Sequence, residues 1–507
     1  MTGGIEGREA GRVRYRFPPL ERRGVIAGWR GGQVGTVAAG LVLAVLTVRS
    51  APSVPGVLVS VVVVGGSVAL AFWPVAGRTG EQWLPVVARW GWAGATGRRL
   101  QSHPGPAAGL RLEVAADGTP ARIAAGPGSS RPGSATVFAG LHLISSAGPG
   151  SDGDGIGMVV DDRARTVTAV LAVRGHSFAL SGPGEQDARV SAWARVLASL
   201  AREGSAVHRL QWVETCVPDD GRAVRDHLAA HGVLDDDAPA ARSYRDLLDE
   251  ARPVTRRHRV LVGLTVDRGR SSRAVRTAGG GLAGAGAVLA REVAAVERSL
   301  AGADLAVDGV LGPDALADVL AEALVTRPAV GGPAGEAREP WPMGLAARWD
   351  AVRTDGAWHA VYWVSEWPRV DVLPDFLGPV LFAPLRRTLS VVMEPVDPVR
   401  AARQVAQART AGMADGELRR RNGFLTSARH SRERRSVDER DVELADGHAQ
   451  FRFSGYVGVT ADGPTELAEA CAALEQATAQ SRLEVRRLFG QQDAALLCLL
   501  PLGRGLA

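Results

Sequence analysis

"GGQVGTVAAGLVLAVLTVRSAPSVPGVLVSVVVVGGSVALAFW", residues 31–73, decides the architecture of this chain. Residues 31–48 and 54–73 carry no charged side chain, and "RSAPSVP" joins them. At helical rise the two runs reach roughly 27 and 30 Å, the thickness of a bilayer's hydrocarbon core. A cleavable signal peptide is a poor reading of the first run, because a second span follows at once and no small-residue cleavage site stands out. A pair of buried soluble helices is the other alternative. A link this short, containing proline, makes the two spans an antiparallel hairpin.

Arginine sets the direction of that hairpin. Arg8, Arg12, Arg14, Arg16, Arg22, Arg23 and Arg30 precede the first span, and Arg78, Arg89, Arg98 and Arg99 follow the second, whereas the link has only Arg49. The positive-inside rule then puts both ends in the cytoplasm. Trp29 and Trp73 fall at the same expected interface, and Gly35, Ala39, Gly65 and Gly66 are candidate small surfaces for helix packing. Beyond the hairpin, "RTGEQWLPVVARWGW" groups Trp83, Trp90 and Trp92. It reads equally as an amphipathic segment along the inner leaflet or as a tryptophan-anchored connector.

The remainder of the 507 residues is long enough to bury a sizeable core. All 59 basic residues are arginine, which fits the codon bias of a GC-rich genome. The net charge of +5 is mild and argues against a dedicated nucleic-acid binder. Cys216, Cys471 and Cys498 form no CxxC pair, so neither a disulfide framework nor a structural zinc site is expected.

Residues 102–135 are rich in Gly, Pro and Ser and read as a tether. Strands and helices then interleave. "IGMVVDD", "TVTAVLAVRG", "AVHRLQWVETC", "HRVLVGLTVD", "WHAVYWVSEW", "TLSVVMEPV", "FRFSGYVGVTA" and "LEVRRLFG" have strand composition. "EQDARVSAWARVLASLARE" has a helical apolar stripe at Val190, Trp193, Val196, Leu197 and Leu200, and "TELAEACAALEQATAQ" is a second helix. The class is α/β or α+β, in an order compatible with a mixed sheet.

Little in this body looks chemical. "GGGLAGAG", residues 279–286, invites a phosphate-loop reading. A P-loop needs lysine after its second glycine, and the two possible registers place Ala285 or Ala287 there. Gly279, Gly281 and Gly284 do fit GxGxxG, but the nearest expected strand ends near Asp267, too far away to form a dinucleotide fold. A flexible or close-packed start to the following helix is the better reading.

His227 and His231 are spaced as on one helix face, yet "HLAAH" lacks the HExxH glutamate and no third ligand is apparent. Asp152 and Asp154 open "SDGDGIG" like a calcium loop, but its twelfth position is Arg163. No GxSxG elbow occurs, and no cysteine has an evident histidine partner. No catalytic, cofactor-binding or metal residue is assigned. Residues 400–441 carry 11 arginines against six acids. They are either a solvated helix laced with i,i+4 pairs or a docking face for an acidic protein, anionic lipid or DNA. The terminal run Ala494–Leu500 is expected to be buried either by the chain's own sheet or by a partner.

Several stretches together resemble a family. "RYRFPPLERRGVIAGWRGGQ", the two-span hairpin and "WPVAGRTGEQWLP" resemble the small PrgI-like inner-membrane protein of conjugative type IV secretion systems. "VTAVLAVRGHSFALSGPGEQDARVSAWARVLASLAREGSAVHRLQWVETCVPD" resembles the amino-terminal, non-motor region of the VirB-type conjugation ATPase, and "SRLEVRRLFGQQDAALLCLLPLGRG" its junction with the motor. The resemblance implies a fused, membrane-anchored scaffold without Walker motifs, and the arginine-only composition suggests an actinobacterial setting. Such a scaffold would recruit a separately encoded secretion ATPase and other inner-membrane channel subunits. Self-association and at most indirect contact with DNA are also implied.

The expected organisation is a basic cytoplasmic tail (1–30), a transmembrane hairpin with an interfacial segment (31–95), a Gly/Pro-rich tether (96–135) and a cytoplasmic α/β domain (136–507) that lacks the motor. The alternative of another class is a membrane enzyme with an atypical nucleotide site at 279–286.

Overall fold

The computed structural model describes residues 17, 31–75, 77–102, 137–146, 155–175, 178–219, 221–231, 238–251, 255–303, 305–325, 340–421 and 428–506. Most of the expected tether, and Asp152 and Asp154, lie outside the described residues.

Helices α1 (Gly31–Ser50) and α2 (Val54–Phe72) occupy the two apolar runs, and both are long and apolar enough to cross a membrane. Ser53 caps α2 by accepting from the Gly56 amide, and Pro55 suits the first turn, where an N–H would have no helical partner. The helices meet through small residues. Ser60 donates to the carbonyl oxygens of Ala44 (3.1 Å) and Gly56 (2.9 Å), and Gly40 has no room for a Cβ against Ser67. Of the expected packing surfaces, Gly35, Gly65 and Gly66 have open space where a Cβ would stand and Ala39 is exposed; the contact runs along Gly40, Ala44 and Ser60 instead. Leucines and valines such as Leu43, Val45, Leu58 and Val62 point outwards and are exposed.

A two-strand turn, β1 (Pro74–Val75) with β2 (Arg78–Thr79), leads into α3 (Gly80–Ala95). Trp83 of α3 stacks on Trp349 of the body at 5.9 Å, and Trp90 meets the same ring edge-on at 5.6 Å. Strand β3 (Leu100–Ser102) then joins the edge of the main sheet.

Among the described residues the body is one sheet of 13 strands, β3 at its edge and twelve more in two halves. The first half contains β4 (Leu141–Ser146), β5 (Ile156–Asp161), β6 (Thr166–Arg174), α4 (Pro183–Leu200), β7 (Val207–Pro218), α5 (Arg222–His231) and α6 (Pro239–Ala251). It continues with β8 (Arg256–Asp267), α7 (Ser272–Thr277), α8 (Gly281–Ala301), β9 (Ala306–Val310) and α9 (Pro313–Leu324). The second half contains β10 (Gly344–Ala347), β11 (Val352–Arg353), β12 (Trp358–Glu366), α10 (Gly378–Leu381), β13 (Arg387–Pro395), α11 (Pro398–Arg421) and α12 (Ala428–Ala445). It ends with β14 (Phe451–Ala461), α13 (Pro464–Gln480), β15 (Glu484–Arg487) and α14 (Gln492–Leu496).

The two halves repeat one topology. Strands β6, β7, β8 and β9 lie in the spatial order β9–β6–β8–β7, and β12, β13, β14 and β15 in the order β15–β12–β14–β13. With α4 and α8, or α10 and α13, each is a split β-α-β-β-α-β module. Each also inserts a pair of helices, α5–α6 or α11–α12, between its second and third strands. Strands β7 and β13 pair antiparallel, from Cys216 opposite Arg387 to Leu210 opposite Met393, and fuse the two modules into one sheet.

The α/β content is as the sequence suggests, but the expected mixed sheet is corrected: every described pairing is antiparallel. Each helical crossover skips a strand, and the skipped position is filled by a strand running the other way.

Alternation along the strands sorts the core onto two faces. In β6, Val167, Ala169 and Leu171 pack with Val196 and Leu200 of α4 and Leu289 and Val293 of α8, whereas Val170 packs with α9 and the carboxyl-terminal leucines. Leu389, Val457 and Val459 pack on Leu467, Cys471 and Leu474 of α13. Strands buried on both faces read as continuous apolar runs, which is why their composition was so plain.

The carboxyl-terminal segment 497–506 crosses the second face as a strap. Gln211, fully buried in β7, donates to the carbonyl oxygens of Cys498 (3.1 Å) and Leu500 (2.9 Å) and to Ser390 Oγ (2.8 Å), and accepts from the Gly503 amide (2.7 Å). Arg504 reaches Asp161 (2.7 Å), Arg209 the carbonyl oxygens of Gly503 and Leu506, and Tyr456 that of Gly505. Gly458 leaves the room that Leu499 fills. In the run Ala494–Leu500, Ala494 is exposed but the leucines and Ala495 are covered by the chain's own sheet, which removes the case for them as a partner's docking surface.

Gln211→Ala leaves buried backbone groups of the strap unsatisfied, each at about 1–3 kcal/mol. Denaturant unfolding of the full chain should show a loss of about 2–4 kcal/mol. A change no larger than that of a surface substitution would contradict the role of the strap.

Candidate functional site

The glycine run is a corner. Gly279, Gly280 and Gly281 have φ of +106°, +75° and +59°, the left-handed region that suits glycine, and turn the chain from α7 into α8. Gly284 sits in α8 where a Cβ would run into the Val275 carbonyl oxygen, and Gly286 lies against Ser146 and Met158. Strand β8 ends at Asp267, with all of α7 between it and the run, so no strand hands directly onto these glycines. The last two glycines serve helix and sheet contact.

His227 and His231 do share a face of α5, their rings stacked at 4.4 Å, but both are exposed. Among the described residues no group of three His, Cys, Asp or Glu side chains is placed to hold a metal ion.

The structure supplies one constellation that sequence reading missed. Cys216 Sγ on β7 lies 3.8 Å from Nε2 of His258 on β8, and Nδ1 of His258 lies 2.7 Å from Oε1 of Glu214. The connectivity is that of a nucleophile, base and orienting acid. Strand pairing creates it, setting Cys216 opposite His258 across 42 residues of sequence.

Burial argues against reactivity. Cys216 is 1 % exposed, and burial pushes its thiol pKa up, whereas a reactive cysteine needs thiolate and access. Both Glu214 oxygens also bind Arg387, a fully buried arginine of β13 that further donates to the Leu381 carbonyl oxygen. This cluster ties the two modules together on the helix-covered face. On the other face Arg209 (3.5 Å) and Arg270 (3.0 Å) of the first module engage Glu394 of the second.

A small cavity of about 20 Å³, lined by Val213, Thr215, Arg257, Arg259, Glu322 and Leu499, lies beneath α9. That is room for about one water. Its arginines are committed, both to the Glu322 carboxylate. Nearby, His359 is buried between Thr354 and Thr460, each 3.0 Å from a ring nitrogen. Thr354 donates onward to the Leu324 carbonyl oxygen, so it accepts from Nε2–H while Nδ1 accepts from Thr460. Burial, with the nearby Arg386 cation, pulls the pKa of His359 down to about 3.

The arginine-rich stretch forms the α11–α12 helix pair. Ala401 and Val405 are buried at its root. Arg409 pairs with Asp438 (3.8 Å) and Asp441, and Arg421 with Glu417 at i,i+4 (3.1 Å).

With this geometry in place, one family comparison is informative. Residues 254–364, from β8 through α8 and α9 to β12, match the family model described as "Putative type VII ESX secretion system translocon, EccE". No curated protein matches the chain. The matched segment crosses from the first module into the second. Together with α1 and α2, it supports a membrane protein of a secretion system. The match is to a type VII rather than a type IV system, so the PrgI-like and conjugation-ATPase resemblance is corrected. The diffuse alternation of strands and helices that carried that resemblance describes many α/β folds.

Gly284→Ala should destabilise the chain, because the α7–α8 contact leaves no space for a methyl group; overpacking of this kind costs about 1–3 kcal/mol. Gly279→Ala is disfavoured only by its φ. ATP affinity in the micromolar range that Gly284→Ala abolishes, with folding intact, would reverse the structural reading of this run. For His359, a folded pKa below the unfolded value means that its contribution is fully present above about pH 6.5 and is lost as pH falls towards 3. Between pH 6.5 and 5 stability should fall by about 2 kcal/mol, and His359→Gln should flatten that slope. An unchanged slope would contradict the buried neutral imidazole.

Proposed function

We propose that this chain is a membrane-anchored, non-catalytic scaffold of a type VII-like secretion translocon. The match of residues 254–364 to the EccE model carries the reading. The apolar helix pair supports membrane anchorage. The organisation proposed is a basic tail over residues 1–30, a transmembrane hairpin and joint over 31–95, a tether over 96–135 and a two-module body beyond it.

Both ends of the hairpin are proposed to face the cytoplasm. Arginine asymmetry favours that direction. Phe17 favours a common side, because it precedes the first span yet packs on Trp367, Phe376 and Phe453 of the body at ring distances of 5.1, 5.5 and 6.4 Å. The partners proposed are other membrane channel subunits and a separate secretion ATPase, in an assembly containing more than one copy of this chain. The terminal strap being held by Gln211 and its neighbours, the α5–α6 and α11–α12 helix pairs are the surfaces proposed for such partners.

Cross-linking in native membranes, followed by purification of the full chain, tests the assignment. Type VII membrane subunits should co-purify, and deletion of the chain should abolish secretion. Recovery of the chain alone, or with conjugation subunits, would overturn it. A phosphatase fusion at Ser53 should be active outside the cell, and a fluorescent fusion at Ala507 should fluoresce inside.

A further inference from the structure

Helix α3 is apolar on two opposite faces. Its inner face places Trp83, Val86 and Trp90 against Trp349 and Phe489 of the body. Its outer face carries Leu84, Val87 and Trp92, exposed at 53, 52 and 66 %. Trp73 before the helix and Leu100 after it are exposed as well. Single exposed apolar residues are ordinary on a protein surface. Here they lie along one face of a helix continuous with the membrane hairpin: Gly80 of α3 packs on Leu70 of α2, and Gly32 of α1 on Glu81 of α3.

The charge at this joint is unbalanced. The Arg486 side chain of β15 packs against Gly77, next to Arg78. Among the described residues neither Arg78 nor Arg486 is ion-paired with a carboxylate. Burial and the Arg486 cation both lower the Arg78 pKa. Of the nearby carboxylates, Glu81 accepts from Thr79 through Oε1 (3.3 Å) while its buried Oε2 lies against Gly32 with no hydrogen-bond partner, and Asp350 pairs with Arg487 (3.5 Å). Two neighbouring guanidinium groups with no acid between them fit an anion, and an anion beside an apolar helix at the end of a membrane span is most simply a phospholipid phosphate.

We propose that α3 lies in the membrane interface on the body's side, with Leu84, Val87 and Trp92 against acyl chains, and that Arg78 and Arg486 together hold the phosphate of an anionic phospholipid. The proposal rests on the membrane reading of α1 and α2. An in-plane helix of this kind fixes the height of the body above the bilayer, because its other face is locked to Trp349.

The test uses the full chain in nanodiscs containing phosphatidylglycerol, with Cys216, Cys471 and Cys498 replaced by alanine. Nitroxide labels are placed singly at Val87→Cys, at Val45→Cys in α1 and at Arg195→Cys on exposed α4. Collision with oxygen should be favoured over collision with a water-soluble nickel complex at positions 45 and 87, and the reverse should hold at 195. A lipid-like position 45 with an aqueous position 87 overturns the proposal and leaves the hairpin intact. An aqueous position 45 overturns the membrane reading itself.

Native mass spectrometry of the detergent-solubilised chain gives the second arm. The Arg78→Gln, Arg486→Gln double variant should retain phosphatidylglycerol about tenfold less than the parent chain. Equal retention overturns the phosphate site, as does displacement of the lipid by excess inorganic phosphate, which would mark a general anion site.

Discussion

The antiparallel pairing of β7 with β13 is the constraint on which the body depends, because it turns two four-stranded modules into a single sheet. Each module alone presents β7 or β13 as an edge, with unpaired N–H and C=O groups that invite association. Pairing the two edges removes that liability and sets the position of everything laid across them. The seam is then locked on both faces, by Glu214 with Arg387 under the helices and by Glu394 with Arg209 and Arg270 opposite. Removing one partner from the buried Glu214–Arg387 pair would strand a charge, so this contact specifies the arrangement more than it adds net stability.

The strap turns the seam into a three-layer core. Gln211 uses both ends of its amide to bind chain segments nearly 300 residues away in sequence, and Leu496, Leu497, Leu499 and Leu500 complete the face that α9 begins. Because the strap crosses β6, β8, β7 and β14, movement of one module relative to the other has to break it. A rigid body of this kind suits a scaffold, and α3 hands that rigidity to α1 and α2 through the contacts of Trp83 and Trp90 with Trp349.

Much of this was legible in the sequence. The hairpin, the strands of the main sheet and the helices at 183–200 and 464–480 follow from local pattern, since a buried strand or an apolar span announces itself within a dozen residues. Pairing order did not, because β7 meets β13 across some 170 residues and nothing local records the partner. The repeat was hidden for a related reason: α4 has 18 residues where its counterpart α10 has four, and the inserted helix pairs differ in length and charge. Cys216 and His258 are unremarkable in sequence and become neighbours only through the β7–β8 register. The glycine run lacks the residues that phosphate chemistry requires, and in the structure it turns the corner between α7 and α8. Its use, close contact at Gly284 and Gly286, needed the neighbouring elements. The type of secretion system was misread because the evidence was alternation of elements, which fold classes share, rather than residues that carry chemistry.

Hydrogen exchange along the seam is the most direct measurement of the central claim. If β7 and β13 join the modules into one cooperative sheet, the amides of residues 210–216 and 387–393 should be protected as strongly as those of β6–β8 and β12–β14, and should be lost in the same unfolding transition. Seam amides that exchange much faster than the strands on either side would show two modules that merely touch, and would contradict this account.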